Sequence, residues 1–254
     1  MPKMAETAEV AIHLENVCFS YEKDAPVLNQ ISFDASGNES IGIIGANGVG
    51  KSTLSKLLVG LNVNYEGTLE ICGTPVRKET LPQIRRRVGY VFQDSDSQLF
   101  SSTVGEDVAF APRNYGLPAD EVNARVADAL ARTGIPDLKD KHTYKLSGGQ
   151  KKLASIATIL SMTPDILLMD EPSAALDPRN RRNLINLLNS LDLMKLLTSH
   201  DLDFIWDTCR RTILMADGRI IADGPTGDIL RDRALLEAHG LELPLSLSRG
   251  GFGA

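Results

Sequence analysis

The stretch Gly45-Ala46-Asn47-Gly48-Val49-Gly50-Lys51-Ser52-Thr53 decides how the rest of this chain is read. Before it runs the apolar Ile41-Gly42-Ile43-Ile44, a short buried strand. After it Leu54, Leu57, Leu58 and Leu61 fall on one face of a helix. A full match to GxxxxGK(S/T) between a strand and a helix has a direct physical meaning. The glycines let successive backbone N–H groups turn inward around phosphate oxygens, and the helix start adds the positive end of its dipole. Lys51 supplies a point charge to the phosphates, and the Ser52 hydroxyl is placed to ligate Mg2+.

A second element answers the first. Ile166 to Glu171 (ILLMDE) is a buried apolar strand with two acids at its C-terminal end, the edge at which open α/β sheets bind ligands. Asp170 is expected to hold the Mg2+ shell and Glu171 to polarise an attacking water as general base.

Around these two, residues 11–20 alternate apolar and polar as a half-buried strand should, residues 31–33 read as a second strand, and Gly37-Asn38 marks a turn. Residues 88–92 and 194–199 are further strands, although Lys195 is out of place inside a parallel sheet. Leu184, Leu187, Leu188 and Leu191 mark a helix, and Asp217-Gly218 is a strong hairpin signal between Thr212–Ala216 and Arg219–Ala222.

Between Asp94 and Leu160 the texture changes. A polar loop gives way to a helix opened by Pro118, carrying Val122, Val126 and Leu130, and a further helix runs from Gln150 to Leu160. The expected fold class is therefore α/β: a parallel-sheet core, an antiparallel β subdomain beside it, and a helical subdomain inserted at residues 94–160. The core domain is expected to span 11–243. The tail 244–254 ends in glycines, and poor order is expected from Leu241 onward.

Composition narrows the class. The 254 residues are 43% hydrophobic and 24% charged, an ordinary globular balance, and the net charge of −6 argues against a nucleic-acid partner. Cys18, Cys72 and Cys209 form no paired motif, so neither a zinc site nor a disulfide framework follows, and a reducing compartment is the simplest reading. The N-terminus lacks an apolar signal core, and no stretch approaches the ~18 apolar residues of a spanning helix. If the chain serves a membrane process, another protein crosses the membrane.

Leu146-Ser147-Gly148-Gly149-Gln150, at the head of a helix upstream of Asp170, decides among the enzymes that share the first two motifs. It resembles the signature of the ATP-binding cassette superfamily, and with that resemblance the fold becomes a P-loop NTPase of the cassette type. Ser147, Gly148 and Gly149 make a second anion cradle. In the family this cradle closes on the γ-phosphate held by the opposite subunit, so the resemblance implies that ATP and Mg2+ are shared between two copies of this chain or close homologues.

It also implies that Tyr21 stacks on adenine and that Gly45 to Thr53 bind the nucleotide. Gln93 would join Ser52 and Asp170 around Mg2+ and sense the membrane partner. Asp177, in a loop from Ser173 where the family more often has Thr and Gly, would cross the dimer interface. His200 would contact the γ-phosphate, acting with Glu171 and Gln93 in catalysis. The resemblance covers roughly residues 11 to 240. A chromosome or repair ATPase would place a long coiled coil between the two motifs, and residues 54–145 carry no heptads.

The stretch from Gln93 to Pro112 is similar to the ATPases of energy-coupling factor transporters, and that from Leu235 to Pro244 to the cobalt- and nickel-uptake ATPases. The resemblance implies a peripheral protein on the cytoplasmic face of the cell membrane, an importer. A transmembrane coupling protein and a substrate-capturing membrane subunit would be its partners. Vitamin uptake through a related module remains an alternative. Asp94, Asp96, Glu106 and Asp107 are expected to rim a groove suited to a basic amphipathic helix.

Overall fold

The computed structural model describes residues 10–23 and 25–248. Val10–Ser20 (β1), Pro26–Ser36 (β2) and Ser40–Ile44 (β3) come first, then helix Lys51–Leu58 (α1) and strands Glu66–Ile71 (β4) and Thr74–Pro75 (β5). Helix Leu81–Arg87 (α2) leads into Val88–Val91 (β6). Helices Val104–Asn114 (α3), Ala119–Arg132 (α4) and Gly148–Leu160 (α5) lie between β6 and Ile166–Asp170 (β7). Pro178–Ser190 (α6), Met194–Thr198 (β8), Leu202–Thr208 (α7), Arg211–Ala216 (β9) and Arg219–Pro225 (β10) follow, then short helices Thr226–Ile229 (α8), Arg233–Ala238 (α9) and Leu245–Ser248 (α10).

Two sheets result. One is antiparallel, in the order β2-β1-β4-β5; the other has the order β10-β9-β3-β8-β7-β6 and is parallel except for β10 at its edge. The central strands are apolar on both faces because both faces are covered. On β7, Leu167 and Met169 join the core beneath the helices, while Ile166 and Leu168 join the core shared with α1 and the antiparallel sheet. Each such fully buried Leu or Ile stabilises the fold by about 1.5–3 kcal/mol. The expected two-sheet arrangement and the helices inserted between β6 and β7 are both present. Among the described residues, no helix is long and apolar enough to cross a membrane.

Some expectations change. Leu61 lies beyond α1 and is 50% exposed. The polar loop expected before Pro118 contains α3, opened by a reciprocal cap: the Thr103 hydroxyl accepts from Glu106 N–H at 3.3 Å, and the Glu106 carboxylate from Thr103 N–H at 3.0 Å. Pro112 sits inside this helix and has no N–H to give the carbonyl four residues back. The Ser161 hydroxyl donates to that Val108 carbonyl instead, at 2.8 Å, and the helix continues.

The tail also departs from expectation. Leu241 and Leu243 pack on the core, and the Asp203 carboxylate accepts from the N–H groups of Leu245 and Ser246 at 2.9 and 3.0 Å, fixing the start of α10. Residues 249–254, also part of the expected tail, lie outside the described residues.

Candidate functional site

The phosphate loop is wedged into place by what its glycines exclude. A Cβ on Gly45 (φ +148) would stand 2.3 Å from the Met215 carbonyl oxygen, and one on Gly50 (φ +106) 2.9 Å from that of Val27. Both positions need a residue without a side chain. Helix α1 opens on Gly50 with no side chain capping its first N–H groups, so those donors face the loop's concavity. Lys51 is 7% exposed, and its ammonium donates to the carbonyls of Gly45 and Ala46 at 2.7 and 3.0 Å. Burial lowers its pKa, against the pull of Glu171 and Asp170. A buried cation beside a helix start whose N–H groups have no side-chain cap suits the charge of a polyphosphate.

The acids stand where β7 ends. Ser52 Oγ donates to Asp170 Oδ1 at 3.0 Å, Thr198 Oγ1 donates to the same oxygen, and Tyr90 Oη reaches Oδ2 at 3.4 Å. Burial, and then Asp170 itself, holds the Tyr90 phenol well above its ordinary range, so it stays a donor. The Ser52 hydroxyl beside the Asp170 carboxylate is a pair of hard oxygen donors that could hold a Mg2+ ion directly or through water. Glu171 has left-handed backbone (φ +46), a strained conformation for a glutamate that its N–H bond to the Thr198 carbonyl helps to hold, at 3.0 Å. Its Oε2 lies 2.8 Å from His200 Nδ1 and accepts from Ser199 Oγ and His200 N at 3.3 Å each.

Lys51, Ser52, Gln93, Glu171, His200 and the loop line one cavity of about 550 Å3. Gln93 is exposed just past β6, and its carbonyl and that of Phe92 accept from Lys152 Nζ at 2.8 and 3.0 Å. Tyr21 is exposed, with its hydroxyl 3.3 Å from Thr53 Oγ1, which puts the ring beside the first turn of α1.

The Leu146–Gln150 segment lies elsewhere. Ser147 caps α5: its hydroxyl accepts from Gln150 N–H at 3.3 Å, and the Gln150 side chain accepts from Ser147 N–H at 3.1 Å. Gly148 is open, while a Cβ on Gly149 would lie 2.3 Å from Asn180 Nδ2. The Asp177 carboxylate in turn accepts from Asn180 N–H at 2.9 Å, a bond that leads in holding Asp177 below the usual carboxylate range. Ser147, Gln150, Asp177 and Asn180 line a separate cavity of about 470 Å3 that shares no residue with the phosphate-loop cavity. Within one copy the phosphate loop and the Leu146–Gln150 segment therefore line different cavities.

Sequence reasoning did not reach several neighbours of these groups. Tyr90 and Thr198 on Asp170, Lys152 under Gln93, Asn180 between Gly149 and Asp177, and Gly240 and Leu241 on the phosphate-loop cavity are all brought there by tertiary contacts. The acidic rim is corrected at one position. Asp107 is buried and accepts from the N–H groups of Phe100 and Ser101, whereas Asp94, Asp96 and Glu106 are exposed, Asp96 paired with Lys151 and Glu106 capping α3. Phe92, Phe100 and Phe110 are exposed there as well, and the last two meet edge to face with centroids 4.7 Å apart.

Known proteins resemble this chain in sequence and fold. Residues 28–174 match the ABC transporter family. A protein of Geobacter sulfurreducens, assigned only provisionally as an ABC transporter ATP-binding protein, is 48% identical over 93% of this chain and 95% of its own length. The energy-coupling factor transporter ATP-binding protein EcfA of Carboxydothermus hydrogenoformans is 40% identical over 93% of this chain and 88% of its own. The structure of CbiO1 from Clostridium perfringens, part of the ABC transporter complex CbiONQ, superposes with a TM-score of 0.82 at 34% identity, over 91% of this chain and 94% of that one.

Proposed function

Because this chain belongs to the ABC transporter family, whose ATPases couple ATP hydrolysis to transport, we propose that it works as a facing pair with ATP held between the copies. Gly45–Thr53 of one copy hold the phosphates, with Lys51 on the charge, Ser52, Asp170 and Gln93 around Mg2+, and Tyr21 against the adenine. Glu171 orients and deprotonates the attacking water, and His200 reaches the γ-phosphate. Ser147, Gly148 and Gly149 of the facing copy, with Leu146 and Gln150 setting the turn and Asp177 crossing beside it, complete the site. The observation that carries this reading is the separation of the two cradles, which share no lining residue. A ligand that touches both only in the paired state draws the copies together, and its hydrolysis lets them part.

Glu171→Gln tests it. Turnover falls by roughly 10^2–10^4-fold, as expected for loss of a general base, while ATP and Mg2+ convert the protein to a dimer by light scattering. Hydrolysis at the wild-type rate removes Glu171 from its role. A variant that stays monomeric with nucleotide, at high concentration and with its membrane partner supplied, removes the pairing.

The same reading gives the cargo and the place. The chain is the peripheral ATPase, on the cytoplasmic membrane face, of an importer of the energy-coupling factor type for cobalt or nickel ions. The domain runs over 11–243, with the helical subdomain at 94–160. A transmembrane coupling protein docks a short helix on Phe92, Phe100 and Phe110, and a separate membrane subunit captures the ion. The likeness to EcfA and to CbiO1 supports the transporter type; the resemblance of Leu235 to Pro244 supports the metal.

Deleting the gene and measuring uptake of labelled cobalt, nickel and biotin tests the cargo. Loss of vitamin import with metal import intact assigns the second cargo class, and failure to capture any membrane protein from solubilised membranes returns the chain to a soluble cassette ATPase.

A further inference from the structure

Lys195, out of place in the sequence, is also out of place in the fold. It lies at the start of β8, at the end of the parallel sheet opposite the phosphate loop, and is 6% exposed. Ser40 on β3 is its direct register partner, and Arg210 N–H bonds the Ser40 carbonyl at 3.0 Å one strand further on. Their chain neighbours Ile41 and Leu196 join the core on the antiparallel-sheet side, and Arg211 reaches the Asp34 carbonyl on that side. By alternation Ser40, Lys195 and Arg210 stand in a row on the helical side.

These groups are short of acceptors. The Lys195 ammonium donates to the Leu191 carbonyl at 2.6 Å, and no other acceptor bonds it among the described residues. Capping the end of α6 uses one of its three donors and leaves two. Ser40 Oγ is buried with no hydrogen-bond partner. Arg210 forms no ion pair among the described residues: Glu39 and Asp223 pair with Arg211 and Asp207 with Arg181 and Arg182, while the Asp192 carboxylate accepts from the Asn38 amide, a neutral donor. Burial pushes the Cys209 thiol up to about 12, so at neutral pH it offers Lys195 no counter-charge. Burial lowers the Lys195 pKa, Asp192 pulls against it, and Arg210 adds its repulsion. Lys195, Ser40 and Arg210 thus line one cavity of about 960 Å3, a size that suits a small molecule, together with Arg211 and the carboxylates of Glu39, Asp192 and Asp207, and with Trp206 on its wall.

We propose that this cavity binds a small organic anion, its carboxylate or phosphate group held between Lys195, Ser40 and Arg210 and its body against Trp206. Buried donors without acceptors cost free energy that such a group removes. The site is independent of the ATP site, which lies at the other end of the same strands.

Trp206 is the sole tryptophan of the sequence, so its fluorescence reports on this cavity. The full chain, with Mg2+ and a non-hydrolysable ATP analogue filling the phosphate loop, is titrated with phenyl phosphate, benzoate and inorganic phosphate. A saturable change is expected with phenyl phosphate or benzoate, the better of the two naming the head group, and weaker binding with inorganic phosphate. Lys195→Met weakens the better probe by about 10- to 100-fold, as loss of a charged hydrogen bond does, and Arg210→Gln by about 3- to 10-fold, both with nucleotide affinity intact. Arg210 is exposed, so its variant decides the matter if Lys195→Met does not fold. No saturable change with any probe, an equal response to chloride at matched ionic strength, or wild-type affinity in the folded variants overturns the proposal.

Discussion

Two helices of this molecule open on glycine beside a hydroxyl, α1 after the phosphate loop and α5 after Leu146, and they are finished in opposite ways. Helix α1 starts at Gly50 with no side-chain cap, and the loop in front of it is locked by contacts with β2 and β9. Helix α5 is capped from both directions by Ser147 and Gln150, and Gly148 at its tip faces open space. An uncapped helix start held rigidly inside a cavity is unfinished without an anion. A capped start on the surface is stable alone and presents its remaining N–H groups outward. The first suits a site that binds its ligand within one copy, the second a surface that meets a ligand arriving on another molecule.

The most severe way to break this contrast is to disable each helix start in a separate copy. Lys51→Ala removes the buried ammonium and Ser147→Arg blocks the outward cradle. Each alone is expected to lose roughly 10^2-fold or more in ATP turnover. An equimolar mixture recovers about a quarter of the wild-type rate, because half the pairs are mixed and each mixed pair has one intact composite site. If the mixture stays as inactive as its parts, the two cradles do not serve one ATP.

Alanine at the glycines sharpens the contrast at lower amplitude. At Gly50 it meets both a positive φ and the Val27 carbonyl, so Gly50→Ala should destabilise the chain by about 1–3 kcal/mol and weaken nucleotide binding by a single copy. At Gly148 nothing lies within 4 Å, so Gly148→Ala should leave thermal stability and single-copy nucleotide binding unchanged. It should still weaken ATP-driven pairing, because the added methyl matters only when another copy packs there. Equal effects of the two alanines on single-copy binding would erase the distinction.

How much of this could be read from the chain follows from how far each feature depends on its neighbours in sequence. The phosphate loop, the strand ending in Asp170 and Glu171, and the Ser147 cap are contiguous, and their glycines, hydroxyls and acids are dictated by local backbone geometry. The central strands were legible for a related reason, since burial on both faces leaves short unbroken apolar runs such as residues 166–169. Helix α3 was hidden by Pro112, whose cost is met by Ser161 just past the end of α5. Strands β4 and β5 carry Glu66, Gly67 and Pro75 and are strands because β1 pairs with β4. Asp107 reads as a surface acid, and only the fold buries it against the backbone before α3.

The smallest effect concerns what stands over the uncapped helix. Gly240 and Leu241 line the phosphate-loop cavity, and beyond them Leu243 packs on the core while Asp203 on α7 holds the N–H groups of Leu245 and Ser246. Burial would raise the Asp203 pKa, but the bonds it accepts from Ser246 and Leu245 prevail and hold it below the usual range. Loss of such a cap costs about 0.5–2 kcal/mol for a helix start, and the partial exposure of Asp203 sets the lower end here. Asp203→Ala should therefore leave global unfolding nearly unchanged while hydrogen exchange at 245–248 becomes faster. Nucleotide binding by a single copy should shift by at most a few-fold, since Leu241 keeps its own packing on the core. Because the capped α5 cavity shares none of these residues, ATP-driven pairing should move only as far as nucleotide binding does. A larger loss of pairing than of binding would show that the tail acts on the interface rather than on the loop.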